Sequence, residues 1–558
     1  VPQKSGSRIF AEFLADSGVT HVFFLPAIML KGLAEMEDLG IRRVMVHGEK
    51  ASAYMADGYA RASGRPGICM AQYIGASNLS AGLRDAKLAS SPVIAITGGP
   101  TPSSRYRHAY QELEDFTQFD PVTKFNARVD DARRLPDLLR QAFREATSGC
   151  PGPAHLQIAG PHAQVAEGRT DLDTIVEQRF TRVPAFRPEP EPEAIREAAR
   201  LLSRATRPVI VAGGGVISSG AAAEVLALAE ALNIPLATSM NAKGTIVDDH
   251  RLSAGVVGTY SRGCANRTVV GADLVLFIGS HTGGQVTHNW QVPPRGTRVI
   301  QIDIDPAELG RNYVNAVSVL GDAKVATARL LDVARGEPQA DRSGWIEEVG
   351  GFVKQWRAEM EPFLSSSARP MRPERICRAI GETLPPDGVV VTDTGHSGIW
   401  SSTMIDLRHP TQRFIRCAGS MGWGFPGSLG VKCALPDRPV LCWSGDGAFY
   451  YHIAELETAA RYGINVVTVV NNNSSLNQEI PLFDKAYGGE QRGRADEMWR
   501  HSNINFAKVA ESFGCVGMRV EDPRDLDGAL REAYAANRPV VIDAVSDERA
   551  MAKQPWLP

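Results

Sequence analysis

The chain has 558 residues, which at about 150 residues per domain makes three to four domains and excludes a single small binding module. Hydrophobic residues are 43% and charged residues 22%, with 53 Gly and 35 Pro, the composition of a turn-rich globular protein and not of a fibre or a disordered tail. Sixty basic against sixty-three acidic side chains leave a formal charge of -3 with no basic stripe among aromatics, which argues against nucleic acid as a partner. The first segment, VPQKSGSRIF, lacks the apolar core of a signal peptide, and no apolar run reaches the roughly 20 residues of a membrane span. A cytoplasmic location without a membrane partner is therefore expected. The eight cysteines form no CxxC pair and read as reduced and mostly buried.

Mixtures of proline, charge and small polar residues at Pro184–Ala194 and Glu361–Glu374 read as linkers and divide the chain into pieces 1–183, 195–360 and 374–558. Each piece alternates β-branched apolar runs, Gly-rich turns and helix-like segments, so an α/β fold is expected, with a central mostly parallel sheet flanked by helices in each of three domains. One phrase recurs as SPVIAITGG, RPVIVAGGG, RPVLCWSGDG and RPVVIDAVSD. Proline there marks the first residue of a buried strand, and glycine its exit. Ligands of an open parallel sheet sit beyond such exits, although many exits only turn the chain.

In the first piece, Glu49 follows a strand-like run and precedes a helix whose Ala51, Ala53, Ala56, Gly58 and Ala60 allow close packing, so its burial is expected. Burial raises a carboxylate's affinity for a proton; an acid in a first helical turn also serves the helix N-terminus electrostatically. The turn GASN, Gly75–Asn78, and the loop RHAYQE, Arg107–Glu112, follow. The middle piece holds GSHTGGQVTHNW and VIQIDIDPAELG; His281 and His288, with no third spaced donor, read as polar loop residues. In the third piece, DTGHSGIW and GSMGWGFPGSLG precede Ser444–Glu479, which reads strand, turn, helix, strand. Parallel neighbours would bring Asp446 and Asn473 to one sheet edge as hard oxygen donors suited to Mg²⁺ or Ca²⁺. Gly445 and Gly447 would let the backbone approach a phosphate.

With its GDG turn and triple asparagine, the chain resembles the thiamine-diphosphate-dependent enzymes of the acetolactate synthase, pyruvate oxidase and 2-hydroxyacyl-CoA lyase group. The resemblance implies thiamine diphosphate and Mg²⁺ as cofactors, with Asp446, Asn473 and the Ser475 main-chain oxygen as metal ligands. Gly445, Gly447, Ala448 and Asn472 would line the diphosphate, with Leu476 beside it. It makes Glu49 the residue that exchanges a proton with the cofactor's pyrimidine, with Gly75 and Asn78 shaping the pocket wall beside Pro26. Met421, after Gly419, would wedge between the two cofactor rings, and Gly395, His396 and Ser397 would flank diphosphate or substrate. Tyr110 and Gln111 would face the substrate, and Glu479 is an additional acid whose other reading is a solvated loop residue.

Three departures from the group are present. Gln72-Tyr73 stands where pyruvate-decarboxylase-like members carry paired histidines, and Pro26-Ala27 where many relatives have Pro-Gly. His281-Thr282-Gly283-Gly284-Gln285 replaces the Arg-rich element of flavin enzymes, which leaves FAD or ADP in the middle domain open. The implied activity is an acetolactate-synthase-like carboligase or lyase acting on small 2-oxo acids through an enamine. The alternatives are a 2-hydroxyacyl-CoA lyase or oxalyl-CoA-decarboxylase-like enzyme and, outside enzymes, a regulatory scaffold retaining the fold. The group shares each active site between subunits, which implies a homodimer or dimer of dimers.

Overall fold

The computed structural model describes residues 3–171 and 173–558. Three six-stranded sheets carry the fold, and every strand in them pairs in parallel. The first contains β1 (His21–Phe24), β2 (Arg42–Met45), β3 (Gly67–Ala71), β4 (Val93–Gly99), β5 (Phe125–Val129) and β6 (Ala154–Ala159), in the order β2-β1-β3-β4-β6-β5. The second contains β7 (Pro208–Ala212), β8 (Leu236–Thr238), β9 (Ser253–Val256), β10 (Leu274–Ile278), β11 (Arg298–Asp303) and β12 (Asn315–Leu320), in the order β9-β8-β7-β10-β11-β12. The third contains β13 (Val389–Thr392), β14 (Arg413–Arg416), β15 (Val440–Gly445), β16 (Val467–Asn472), β17 (Val516–Val520) and β18 (Val540–Val545), in the order β14-β13-β15-β16-β18-β17.

The outer two sheets thus share one topology, and the middle sheet has the order of a dinucleotide-binding fold. Central strands such as β4, β7 and β10 are buried at every residue, as sheets covered by helices on both faces require. Proline opens β7 and directly precedes β4, β15 and β18, where its missing N–H costs no ladder bond. Both linker-like stretches differ from expectation at their ends: Pro192–Ala194 open the helix Pro192–Arg204, Pro373 opens the helix Pro373–Thr383, and Glu361–Leu364 form the last turn of the helix Ser343–Leu364, which tolerates Pro362 near its end.

Two contacts fix the domains. Helix α1 (Glu49–Ser63) of the first domain packs on α4 (Gly424–Ala434) of the third so closely that a Cβ on Gly58 would lie 2.0 Å from the Gly427 carbonyl oxygen, and one on Gly430 1.9 Å from that of Met55. Only glycine fits both positions. One apolar core therefore runs from Phe23 and Val44 through to Val391 and Val470. The middle domain keeps its own core, around Ile210, Leu276 and Ile300. It docks on the third domain through buried charges: Asp248 pairs with Lys243 at 2.8 Å and Arg262 at 2.9 Å, and Arg262 reaches Asp406 at 2.6 Å. Removing one member of such a network costs about 3–5 kcal/mol.

Candidate active site

Glu49 is the first residue of α1, behind Gly48 in extended conformation. Its carboxylate is half-buried and accepts from Asn78 Nδ2 at 3.2 Å. Gly75 forms the floor: a Cβ there would stand 2.5 Å from Glu49 Oε1. Gly75 and Asn78 open helix α2 (Ala76–Leu88), and the far end of that helix carries Asp85. The buried Asp85 carboxylate accepts main-chain N–H bonds from Ala418, Gly419 and Ser420 at 2.8, 3.1 and 2.9 Å. Asp393, beyond β13, accepts from Thr394, Gly422 and Gly424 at 2.9, 3.1 and 2.7 Å. Burial pushes Asp393 up to about 6, against the pull of those N–H groups. Two carboxylates from two domains thus pin the chain on either side of the half-buried Met421, Asp85 at Ala418–Ser420 and Asp393 at Gly422 and Gly424.

The second cluster lies at the carboxyl edge of the third sheet. Asp446 follows β15, and Asn473 follows the neighbouring β16. Asp446 Oδ1 accepts from the Gly447 N–H at 2.7 Å, whereas Oδ2 is buried without a partner. Burial raises Asp446 to about 7, and the N–H groups of Gly447, Ser474, Ser475 and Asn473 pull the other way, so the 473–475 turn faces this carboxylate. Asn473 Oδ1 accepts from the Ser475 N–H at 3.1 Å. An orphaned carboxylate oxygen at the same sheet edge as an amide oxygen fits a hard divalent cation. Among the described residues no cluster of three His, Cys, Asp or Glu competes for that role.

Helix α3 (Gly395–Met404) points its first turn at the same place. A Cβ on Gly445 would meet Ser397 Oγ at 3.1 Å, and one on Gly395 would meet Gln478 Oε1 at 2.8 Å. His396 Nδ1 lies 2.9 Å from Asn477 Oδ1, while Asn477 Nδ2 donates to the carbonyls of Glu548 and Ala550. That partner puts the His396 proton on Nδ1; burial lowers the pKa, so a neutral ring presents Nε2 as an acceptor. Leu476 and His501 Nε2 cover Gly447, and Ala448 is buried beside them. His501, Asp85 and Asp393 were not singled out by sequence reasoning; only Asp393, directly after a strand and two residues before Gly395, carries a local signal.

Other residues stand apart. Tyr110 is exposed on a loop held by Glu112, which accepts from the Tyr106 and Ala109 N–H groups, and by Tyr73, whose hydroxyl bonds Leu113. Gln111 on that loop has a left-handed backbone, φ +64°. Pro26 is exposed just past β1, and Glu479 is half-buried ahead of the helix Ile480–Ala486.

A cavity of about 400 Å³ opens where the middle sheet reverses order, between the ends of β7 and β10. Its wall includes Gly213–Gly215, His281, Asp303 and Asp322, with Arg416 from the third domain. Gly213 and Gly279 interlock there, a Cβ on Gly213 lying 2.1 Å from the Gly279 carbonyl oxygen.

Residues 4–119, 195–330 and 393–544 match the N-terminal TPP binding domain, the central domain and the C-terminal TPP binding domain of thiamine pyrophosphate enzymes. The chain belongs to the thiamine-diphosphate enzyme family. It is 32% identical over 554 residues to a probable acetolactate synthase large subunit of Methanocaldococcus jannaschii, covering 97% of this chain and 92% of that protein. An acetolactate synthase of Mycobacterium bovis is 31% identical over 97% of this chain and 88% of its own length, and an acetolactate synthase large subunit of Haemophilus influenzae 29% over 98% and 95%. No helix among the described residues is long and apolar enough to cross a membrane.

Proposed function

We propose that this family member is an acetolactate-synthase-like carboligase that joins two 2-oxo acids with loss of one carbon dioxide. The observation that carries the reading is the unpartnered, buried Asp446 Oδ2 facing the Asn473–Ser475 turn at the edge of the third sheet. Asp446, Asn473 Oδ1 and the Ser475 main-chain oxygen would hold Mg²⁺, whose charge offsets the burial of the carboxylate. Thiamine diphosphate, when bound, supplies a carbon nucleophile and an electron sink for the carbon–carbon bond beside a carbonyl.

The chain's own residues do the rest. The first turn of α3 and the Gly445–Ala448 turn offer unobstructed main-chain groups to a diphosphate. Glu49, seated on Gly75 and bonded by Asn78, holds and moves a proton at its carboxylate. The pinned Met421 turn supports a bent cofactor, and neutral His396 offers Nε2 to a proton of the substrate. A second copy completing the site is part of the proposal, supported by Ile74, Leu88, Tyr110 and Leu113, which the first domain leaves exposed. The dinucleotide-fold order, Gly213–Gly215 and the buried Asp303 and Asp322 support a flavin or adenine nucleotide in the middle cavity.

The protein is incubated with thiamine diphosphate, Mg²⁺ and a panel of 2-oxo acids, aldehydes and 2-hydroxyacyl-CoAs, and products are identified by mass spectrometry. Two-to-one condensation with one carbon dioxide released supports the carboligase. Free aldehyde as the sole product, or turnover of acyl-CoAs alone, overturns it. A visible flavin spectrum of the purified protein separates FAD from ADP.

A further inference from the structure

We propose that Glu455 is a positioning residue: from the third domain it holds the chain that leads into Glu49 of the first, and so sets where the Glu49 carboxylate stands. Its role rests on the proton exchange proposed above for Glu49. Strand β2 lies at the edge of the first sheet and pairs only with β1, so the main-chain groups on its open side need other partners. Helix α5 (Glu455–Tyr462) supplies them. The Met45 N–H donates to the Tyr462 hydroxyl at 3.0 Å, the Met45 carbonyl accepts from Arg461 Nη2 at 3.0 Å, and the His47 N–H donates to Glu455 Oε1 at 3.0 Å. Val46, between them, turns the other way, its N–H donating to the Phe24 carbonyl of β1 at 3.0 Å. Side chains of one helix thus continue the ladder of an edge strand beyond its last residue.

Among these partners Glu455 is the buried one. Glu457, whose Oε2 lies 2.7 Å from His47 Nε2, and Arg461 are partly exposed, and exposed pairs contribute little. An acid in a first helical turn commonly serves its own helix N-terminus. Here one oxygen accepts from the Thr458 hydroxyl at 2.7 Å, which fixes the carboxylate on α5, and the other crosses to another domain. Burial raises the Glu455 pKa, and the bonds from Thr458 and His47 oppose it.

Glu49 begins α1 two residues past His47, and Gly48 between them is extended, with nothing within 4 Å of where its Cβ would stand. The Glu49 backbone therefore takes its position from His47, as its carboxylate does from Gly75 and Asn78. Helix α5 also lies in the crossover from Asp446, after β15, to Asn473, after β16. The segment that carries the proposed metal ligands thus holds the approach to Glu49 within one chain.

Three substitutions test reach against charge. Glu455→Gln keeps an acceptor at the same reach, Glu455→Asp keeps the charge one methylene short, and Glu455→Leu keeps the bulk without an acceptor. The first readout is amide hydrogen exchange in the cofactor-free full chain: peptides spanning His47 should exchange about tenfold faster in Glu455→Asp and Glu455→Leu, and as in the parent in Glu455→Gln. The second, at saturating thiamine diphosphate and Mg²⁺, is deuterium exchange of the cofactor's thiazolium proton together with turnover of a 2-oxo acid. Exchange rate and kcat should fall about tenfold or more in Glu455→Asp and Glu455→Leu with KM within about twofold, and Glu455→Gln should keep parental values. Glu457→Gln, which loses only an exposed pair, should match the parent in both readouts. Glu455→Asp carries the comparison where Glu455→Leu does not fold. Unchanged amide exchange at His47, parental proton exchange and turnover in Glu455→Asp, or a loss in Glu455→Gln as large as in Glu455→Asp overturns the positioning role. A parent that exchanges no thiazolium proton, with amide exchange responding as expected, overturns the role of Glu49 and leaves Glu455 no reaction to serve.

Discussion

Gly75→Ala separates the seating of Glu49 from folding. The added methyl would lie 2.5 Å from Glu49 Oε1 and 2.8 Å from Cδ, against about 3.5 Å for ordinary contact, so the carboxylate must withdraw by roughly 1 Å. The backbone at Gly75, φ -81° and ψ -4°, suits alanine, and the three nearest atoms all belong to the half-buried Glu49 side chain, Oε1 with Cδ and Cγ at 2.8 Å. Stability should therefore change by less than about 1 kcal/mol. A 1 Å misplacement of a reacting group costs about 100-fold, or about 2.7 kcal/mol of barrier, and kcat/KM should fall by that much. The assay is steady-state turnover of a 2-oxo acid at saturating thiamine diphosphate and Mg²⁺, with Tm from calorimetry. Gly48→Ala is the control: its Cβ meets nothing within 4 Å and its φ of -163° is ordinary extended backbone, so both readouts stay near the parent. Gly58→Ala is the opposite case, because main chain 2.0 Å away cannot yield; it should lose about 3 kcal/mol of stability. A Gly75→Ala enzyme within twofold of the parent refutes the seat, and a Tm drop matching Gly58→Ala makes Gly75 a folding residue only.

Asp446→Asn removes a buried carboxylate with an orphaned oxygen, so the protein without metal should gain about 1 kcal/mol. The stabilisation by Mg²⁺ with thiamine diphosphate, about 2.7 kcal/mol at 100 times Kd, should vanish; an equal thermal shift in parent and variant contradicts the metal assignment. Asp85→Asn turns an amide toward three N–H donors, with an expected cost of about 1–3 kcal/mol and cofactor affinity weakened about tenfold by titration calorimetry; unchanged affinity removes Asp85 from the support of the Met421 turn. His155, buried and stacked on Phe119 at 3.5 Å, has its pKa lowered to about 3 by burial. The unfolded chain binds that proton first, so its contribution is complete above pH 6.5 and is lost as pH falls toward 3, by about 1.4 kcal/mol per pH unit. Urea denaturation from pH 7 to 4 measures the slope, and His155→Gln should flatten it; an identical slope would exclude His155 as its source.

What could be read from the sequence was whatever depends on neighbours along the chain. Asp446 and Asn473 need only that two consecutive strands pair in parallel, and β15 and β16 do, register and all. The recurring proline-opened runs likewise became buried strands, since a parallel sheet demands apolar residues on both faces. Asp85 shows why the rest was hidden. Within its own helix it reads as one more polar residue between Arg84 and Lys87, and nothing local marks it. It becomes an anchor only because α1 and α4 pack backbone to backbone, bringing the Ala418–Ser420 N–H groups within reach of the neighbouring helix. That closeness rests on Gly58 and Gly430, in separate domains, each missing a side chain for the sake of the other's neighbour. One helix, α2, then touches Glu49 at one end through Asn78 and the Met421 turn at the other through Asp85. A displacement of α2 must therefore disturb both halves of the candidate site together, so substitutions at Asn78 and Asp85 should be non-additive in kcat/KM, beyond the roughly 0.5 kcal/mol that independent sites allow.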